Sequence, residues 1–107
     1  MAGKITNRRN LRILCGGAAK AEGPKGPLRG ICRNISLGGL FFTGPALPVG
    51  SSVQLELQLP GSGAVSALGE VRYHHAYADG AGMGIRFLRL GQDDLARLTT
   101  FVESSAL

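Results

Sequence analysis

Two short clusters in this sequence have the residue types and spacing to recognise an anion. The first is Arg8-Arg9-Asn10-Leu11-Arg12, in which Arg8 and Arg12 stand four apart. Arginine carries a rigid fork of donors that meets phosphate oxygens in pairs, or the O6 and N7 acceptors of guanine, and its flat face stacks on rings. On its own, RRxxR is also what a solubilising basic tail looks like. The second cluster is Asn34-Ile35-Ser36-Leu37-Gly38-Gly39. In an extended segment, alternation puts the side chains of Asn34 and Ser36 on one face and Ile35 on the other. A short amide beside a hydroxyl can bind a polar base edge. Gly38 and Gly39 then let the backbone turn sharply or come close to a ligand. Taken alone, this stretch reads equally as a strand end with ordinary turn chemistry.

Signals for catalysis are weak. His74 and His75 are adjacent on an extended stretch, so they point to opposite faces and do not form one metal site; a solvated strand edge accounts for them. There is no HExxH, no GxSxG and no Cys/His cluster. Glu56 and Glu70 fall on the polar faces of strands, and Asp93 and Asp94 suit the first turn of a helix. Gly80, Gly82 and Gly84 resemble a phosphate loop, but they precede a strand rather than a helix, so a hairpin turn is the better reading. The expectation is a protein that is not an enzyme, with no metal and no cofactor.

The elements that must position these residues are short strands. Glycine supplies 17 of 107 residues, against a usual share of about 7%, which argues against a helical bundle. Hydrophobic residues make up 44%, enough for one compact core. Residues 1–10 are polar, basic and aperiodic, and read as a flexible arm; residues 11–107 form the domain. Strands are expected at Leu11–Ala18, Leu28–Ser36 and Leu40–Thr43, with Lys20–Gly26 as a loop. The clearest strand has Val53, Leu55, Leu57 and Leu59 alternating with Gln54, Glu56 and Gln58. A fifth covers Leu68–His75, with Val71 and Tyr73 on one face and Glu70 and Arg72 on the other. After a turn at Ala78–Gly82, Met83, Ile85 and Phe87 mark one face of a sixth. Leu95, Leu98, Phe101 and Val102 then have helical spacing, and the helix is placed at about 92–105. The fold class is all-β with one helix: a six-stranded antiparallel β-barrel or sandwich with the helix covering an open end or face.

Other classes drop out. The amino terminus lacks the apolar run of a signal peptide, and no window approaches a membrane span. Cys15 and Cys32 make neither a disulfide framework nor a CxxC pair; they are read as buried free thiols of a cytoplasmic chain. The net charge of +5 suggests an anionic partner without naming it.

Taken together and in this order, the two clusters resemble the motif of the PilZ domain family, bacterial receptors for cyclic di-GMP. The family's motif is RxxxR on an N-terminal arm, followed by [D/N]xSxxG at the end of a strand. Arg8 and Arg12 match the first part; Asn34, Ser36 and Gly39 match the second. The resemblance continues through NISLGGLFFTGPALPVGSSVQLELQLP, GEVRYHH, GMGIRFLRL and the closing helix, nearly the whole chain. It implies a six-stranded β-barrel with a C-terminal helix, which makes a PilZ-like barrel the expected fold. It also implies an arm that wraps the outside of the barrel when ligand binds. Arg8 and Arg12 would grip phosphates and guanine edges, Arg9 would support them, Asn34 and Ser36 would bond one guanine, and Gly39 would leave the surface flat. Asn34 stands where many members have Asp, and Asn7 stands where an extra arginine favours a stacked pair of ligands.

The function implied is a cyclic di-GMP receptor and adaptor whose arm and surface change is read by a downstream protein partner. Two other readings stand beside it. Some PilZ domains act as protein-interaction modules in pilus or motility assemblies without binding nucleotide, usually lacking the motif residues. A small basic barrel can also bind RNA or single-stranded DNA, but such barrels offer aromatic stacking platforms. Here there is no Trp, and Phe42, Phe87 and Phe101 are assigned to the core, so no DNA or RNA partner is expected.

Overall fold

A computed structural model describes residues 12–105; the expected arm, with Arg8 and Arg9, lies outside the described residues. The chain runs β1 (Ile13–Gly23), β2 (Gly26–Ile35), β3 (Gly39–Thr43), β4 (Ser52–Leu59), β5 (Gly63–Tyr77), β6 (Gly80–Leu90) and α1 (Gln92–Ser105). All strand pairs are antiparallel and the sheet closes on itself in the order β1-β2-β3-β6-β5-β4. The expected six-stranded barrel with one C-terminal helix is what forms. Among the described residues no helix is long and apolar enough to cross a membrane.

β4 follows its alternation: Val53, Leu55, Leu57 and Leu59 are buried, while Gln54, Glu56 and Gln58 are exposed. Closure comes where Ala19 to Glu22 of β1 pair with Leu57 to Gln54 of β4. Ala19 and Ala21 point inward there, small enough to leave the interior to Leu55 and Leu57. On the outside of the same seam Lys20 faces Glu56, with Nζ to Oε1 at 3.6 Å.

The expected loop at Lys20–Gly26 is instead the tip of a hairpin. Lys20 pairs with Arg29, Ala21 with Leu28 and Gly23 with Gly26, leaving only Pro24 and Lys25 in the turn. Glycine, proline and charge marked the turn correctly but overstated its length, because cross-strand pairing to two neighbours holds the flanking residues extended. β5 is likewise longer than its alternation suggested. It begins at Gly63 rather than Leu68, since its small residues 63–67 are paired along β4 and bury Val65 and Ala67. The turn expected over Ala78–Gly82 shrinks to Ala78 and Asp79.

α1 packs on β5. Leu98, Phe101 and Val102 enter the core, and Asp93 and Asp94 occupy the first turn, where negative charge suits the helix dipole. Asp94 Oδ1 accepts from the Ser66 backbone N–H at 3.0 Å, and Arg97 Nε donates to the Ala64 carbonyl at 2.8 Å. This polar latch fixes the docking angle. It leaves Leu95, which the periodicity grouped with the buried stripe, 44% exposed. Both cysteines are free; Cys32 is buried as expected, whereas Cys15 is only half-buried. Because Leu98 is enclosed and Leu95 is not, Leu98→Ala is expected to destabilise by about 2–4 kcal/mol and Leu95→Ala by less than about 1 kcal/mol. Urea denaturation of the two variants measures the difference.

Candidate functional site

The beginning of β1 and the end of β2 lie side by side, with Ile13 facing Ile35 and Leu14 facing Asn34. Arg12, one residue before β1, therefore meets Asn34: its Nη1 donates to Asn34 Oδ1 at 2.8 Å. The bond joins the two motif clusters across 22 residues of sequence. Asn34 reaches the outer surface because of a local irregularity. Arg33 is the extra residue between the Cys32–Phe42 and Asn34–Phe41 pairs, and on the other side Cys15 and Gly16 share its place in the ladder. Cys32 and Ile35 thus both point inward, and Asn34 points out.

Ser36 departs from simple alternation. The strand ends at Ile35, so Ser36 belongs to the turn rather than to Asn34's strand face. It is 3% exposed. Its backbone N–H donates to the Gly39 carbonyl at 2.8 Å, and its Oγ accepts from the Gly38 N–H at 3.2 Å. The hydroxyl thereby shapes the Ser36–Gly39 turn. Gly39 then starts β3 facing Arg86 of β6, and a Cβ there would collide with the Ile85 carbonyl oxygen. Glycine is required at this position by the approach of two backbones.

Beside this turn lies an outward cleft of about 260 Å³, lined by Arg12, Ser36, Gly38 and Gly39 on one side and by Arg72, Tyr73, Gly84 and Arg86 on the other. It brings together four of the residues singled out from sequence with three side chains that were not: Arg72, Tyr73 and Arg86. Tyr73 was expected to share the inward face of Val71. Instead Arg72 is an extra residue between the Val71–Ile85 and Tyr73–Gly84 pairs, and this bulge turns Tyr73 outward, 45% exposed, with its ring across Gly84. A usable sequence signal was present in Gly84, a glycine at an outward position of a strand, which makes room for a ring. Of the three arginines, Arg72 is paired with Glu70 at 3.2 Å. The cleft therefore offers a cationic rim, a flat aromatic surface and a glycine-lined floor, which suits a compact, anionic, ring-bearing ligand.

Further along the outer surface, Tyr73, His75 and Tyr77 surround Phe41, with ring centroids 6.2, 6.4 and 5.1 Å away. Arg33 stacks on Tyr77 at 3.8 Å and pairs with Asp79 at 2.7 Å, which holds the Asp79 carboxyl below the usual carboxylate range. Phe42 and Phe101 are in the core as expected and Phe87 is half-buried, but the tyrosines form this external layer. His74 and His75 are exposed on the part of β5 that extends past β4, and His74 Nε2 lies 2.6 Å from the Leu47 carbonyl. Among the described residues no three His, Cys, Asp or Glu gather where they could hold a metal.

The class is thus a small closed β-barrel of six strands with a C-terminal helix and an outward cationic cleft. The chain belongs to the PilZ domain family, whose model matches residues 6–104. No curated protein matches it. Among solved structures it is similar to the inhibitor of motility MotI/DgrA of Bacillus subtilis, with TM-score 0.78 and 18% identity, covering 97% of this chain and 54% of that one. It is similar also to YcgR of Escherichia coli, solved in complex with c-di-GMP, with TM-score 0.78 and 19% identity over 92% of this chain and 46% of that one. The isolated PilZ domain of YcgR with c-di-GMP gives TM-score 0.69 and 17% identity, covering 94% and 92%. The chain thus spans about half the length of the first two, and the likeness at these identities is one of fold.

The glycines of the cleft give a direct check on this geometry. Gly39→Ala would meet rigid backbone and is expected to destabilise by about 2 kcal/mol or more, while Gly84→Ala meets a side chain that can move. The cost of Gly84→Ala should therefore largely vanish in a Tyr73→Ala background and that of Gly39→Ala should persist. A double-mutant cycle read by chemical denaturation tests this.

Proposed function

We propose that this domain is a receptor for cyclic di-GMP that performs no chemistry on it and passes the binding event to a protein partner. The observation that carries the reading is the Arg12–Asn34 hydrogen bond at the mouth of the cationic cleft, which brings the family's two motif halves together at one place. Membership of the PilZ family and the c-di-GMP complexes of relatives such as YcgR support it.

In this reading Arg12 and Arg8 bind phosphate oxygens and the O6 and N7 edge of guanine, with Arg9 assisting. Asn34 acts at a guanine's polar edge, Ser36 holds the turn beside it through its hydroxyl rather than bonding the base as the motif implies, and Gly39 keeps the floor open. Tyr73 supplies a stacking face and Arg86 adds positive charge. Arg12 spends one of its five donors on Asn34, so guanine or phosphate can be added without first stripping the arginine of its partner. Each charge-assisted bond contributes about 1.5–3 kcal/mol. In this reading the ligand changes the surface around the cleft, and a partner that binds one of the two surfaces better reads the difference.

Isothermal titration with cyclic di-GMP tests the reading. The parent chain is expected to bind, Arg12→Ala to lose roughly 10–100-fold in affinity, and Tyr73→Ala about tenfold through lost stacking. Arg12→Ala should change the stability of the free protein by less than about 1 kcal/mol, because Arg12 is exposed and its one bond lies at the surface. Absence of binding by the parent would overturn the receptor role, and an unchanged Kd in Arg12→Ala would overturn the role of Arg12. Binding of single-stranded nucleic acid with a steep salt dependence would favour a different class of ligand.

A further inference from the structure

Cys15 and Cys32 sit where β1 and β2 come together below the cleft, and nothing in the receptor reading uses them. The register passes from Leu14–Asn34 to Gly17–Cys32, so Cys15 shares the bulge opposite Arg33, one ladder position from Cys32. Directly opposed residues of antiparallel strands lie about 4.5–5.5 Å apart at Cα, and a disulfide spans up to about 6.8 Å. In the neutral pair the single Cys32 S–H donates to the Asn34 carbonyl at 3.6 Å; when Cys15 is a thiolate that proton can turn to the Cys15 sulfur instead. Their surroundings differ. Cys32 is enclosed in the core, whereas Cys15 is half-buried and lines an open depression of about 470 Å³ with Leu14, Gly16, Ile31 and Arg33. Cys15 is thus the residue of the pair at an open surface, and Cys32 the enclosed one.

We propose that Cys15 and Cys32 are a hydroperoxide-sensitive dithiol, with Cys15 the attacking thiolate and Cys32 the resolving thiol. The Cys32 thiol, able to donate to a Cys15 thiolate, brings Cys15 from 9.0 to about 7 against the opposing effect of burial, while the same contact, and after it burial, push Cys32 well up. Buried structural thiols are inert because their protonated form is favoured; Cys15 has the opposite character. The charged groups about the pair are Arg12, which favours thiolate on Cys32, and Arg33 and Asp79, which pair with one another across the depression. In the first step the Cys15 sulfur attacks one oxygen of the hydroperoxide. The O–O bond breaks, Cys15 becomes a sulfenic acid, and the other oxygen leaves as an alcohol or as water after taking a proton. Once Cys15 is a neutral sulfenic acid, the negative charge that helped to hold Cys32 protonated is gone, and in the second step the Cys32 sulfur, giving up its proton, attacks the Cys15 sulfur. The S–O bond breaks, hydroxide leaves with the Cys32 proton as water, and the two sulfurs are joined. Two thiols have lost two electrons and one peroxide has gained them.

The experiment uses the full chain, reduced and without nucleotide, so its outcome is independent of the receptor reading. Hydrogen peroxide is added and intact mass and peptide mapping are followed. The expected result is an intramolecular Cys15–Cys32 disulfide, with the mass of two hydrogens lost and recovered on adding dithiothreitol. Its rate of formation should rise as pH passes about 7. Cys32→Ser should stop at a Cys15 sulfenic acid that dimedone captures, and Cys15→Ser should leave Cys32 unmodified. The proposal fails if the parent chain keeps both thiols, if it forms only disulfide-linked dimers, or if Cys15→Ser oxidises at the parent's rate. Because the first two of these need no variant, they decide the matter even where Cys32→Ser perturbs the core.

Discussion

Everything in this molecule follows from a six-stranded sheet closing on itself. Closure leaves no open edge in the barrel wall and only one apolar interior, so each strand must send alternate side chains inward at a size the space accepts. The seam between β1 and β4 shows how narrow the margin is. Ala19 and Ala21 lie against the strand that carries Leu55 and Leu57, and larger residues at either alanine would have to displace one of those leucines or open the ladder. Helix α1 completes the same core with Leu98, Phe101 and Val102 rather than forming a layer of its own.

A closed barrel of this size has its interior filled by side chains, so the cleft lies on the outside. Regular alternation would have put inward some of the residues this surface needs. Irregularities in the ladder solve that difficulty. The extra residue at Arg33 lets Cys32 and Ile35 both stay in the core while Asn34 faces out toward Arg12, and the extra residue at Arg72 turns Tyr73 out over Gly84. Glycine completes the arrangement, since Gly39 allows β3 and β6 to approach and Gly84 gives the tyrosine ring a seat. The cleft is thus made from departures from the rule that makes the barrel.

The same physics separates what could be read in advance from what could not. β4 was legible residue by residue because it is long, strictly alternating and solvated on one side; α1 was legible because its spacing and acidic first turn agree. The two clusters were legible only as candidates, since each alone also fits a basic tail or a turn; it was their resemblance, in that order, to the PilZ motif that set them apart. Tyr73 was not, because a one-residue bulge reverses the face of everything beyond it and leaves no strong mark in composition. The full extent of β1 and β5 was hidden for a related reason: weak strand formers such as Gly63 and Ala64 are held extended by partners far away in sequence.

By itself the sequence determined the class of fold, the number of strands, the closing helix and the residues worth suspecting. Those depend on local periodicity and on side-chain chemistry, and both are written along the chain. Tertiary structure alone decided that Arg12 would meet Asn34, that the Ser36 hydroxyl would tie a turn, that Tyr73 would line a cleft, and that Cys15 would fall one ladder position from Cys32. Each of those is a meeting between strands whose register is set by bulges and by closure of the whole sheet, and no local pattern contains that information.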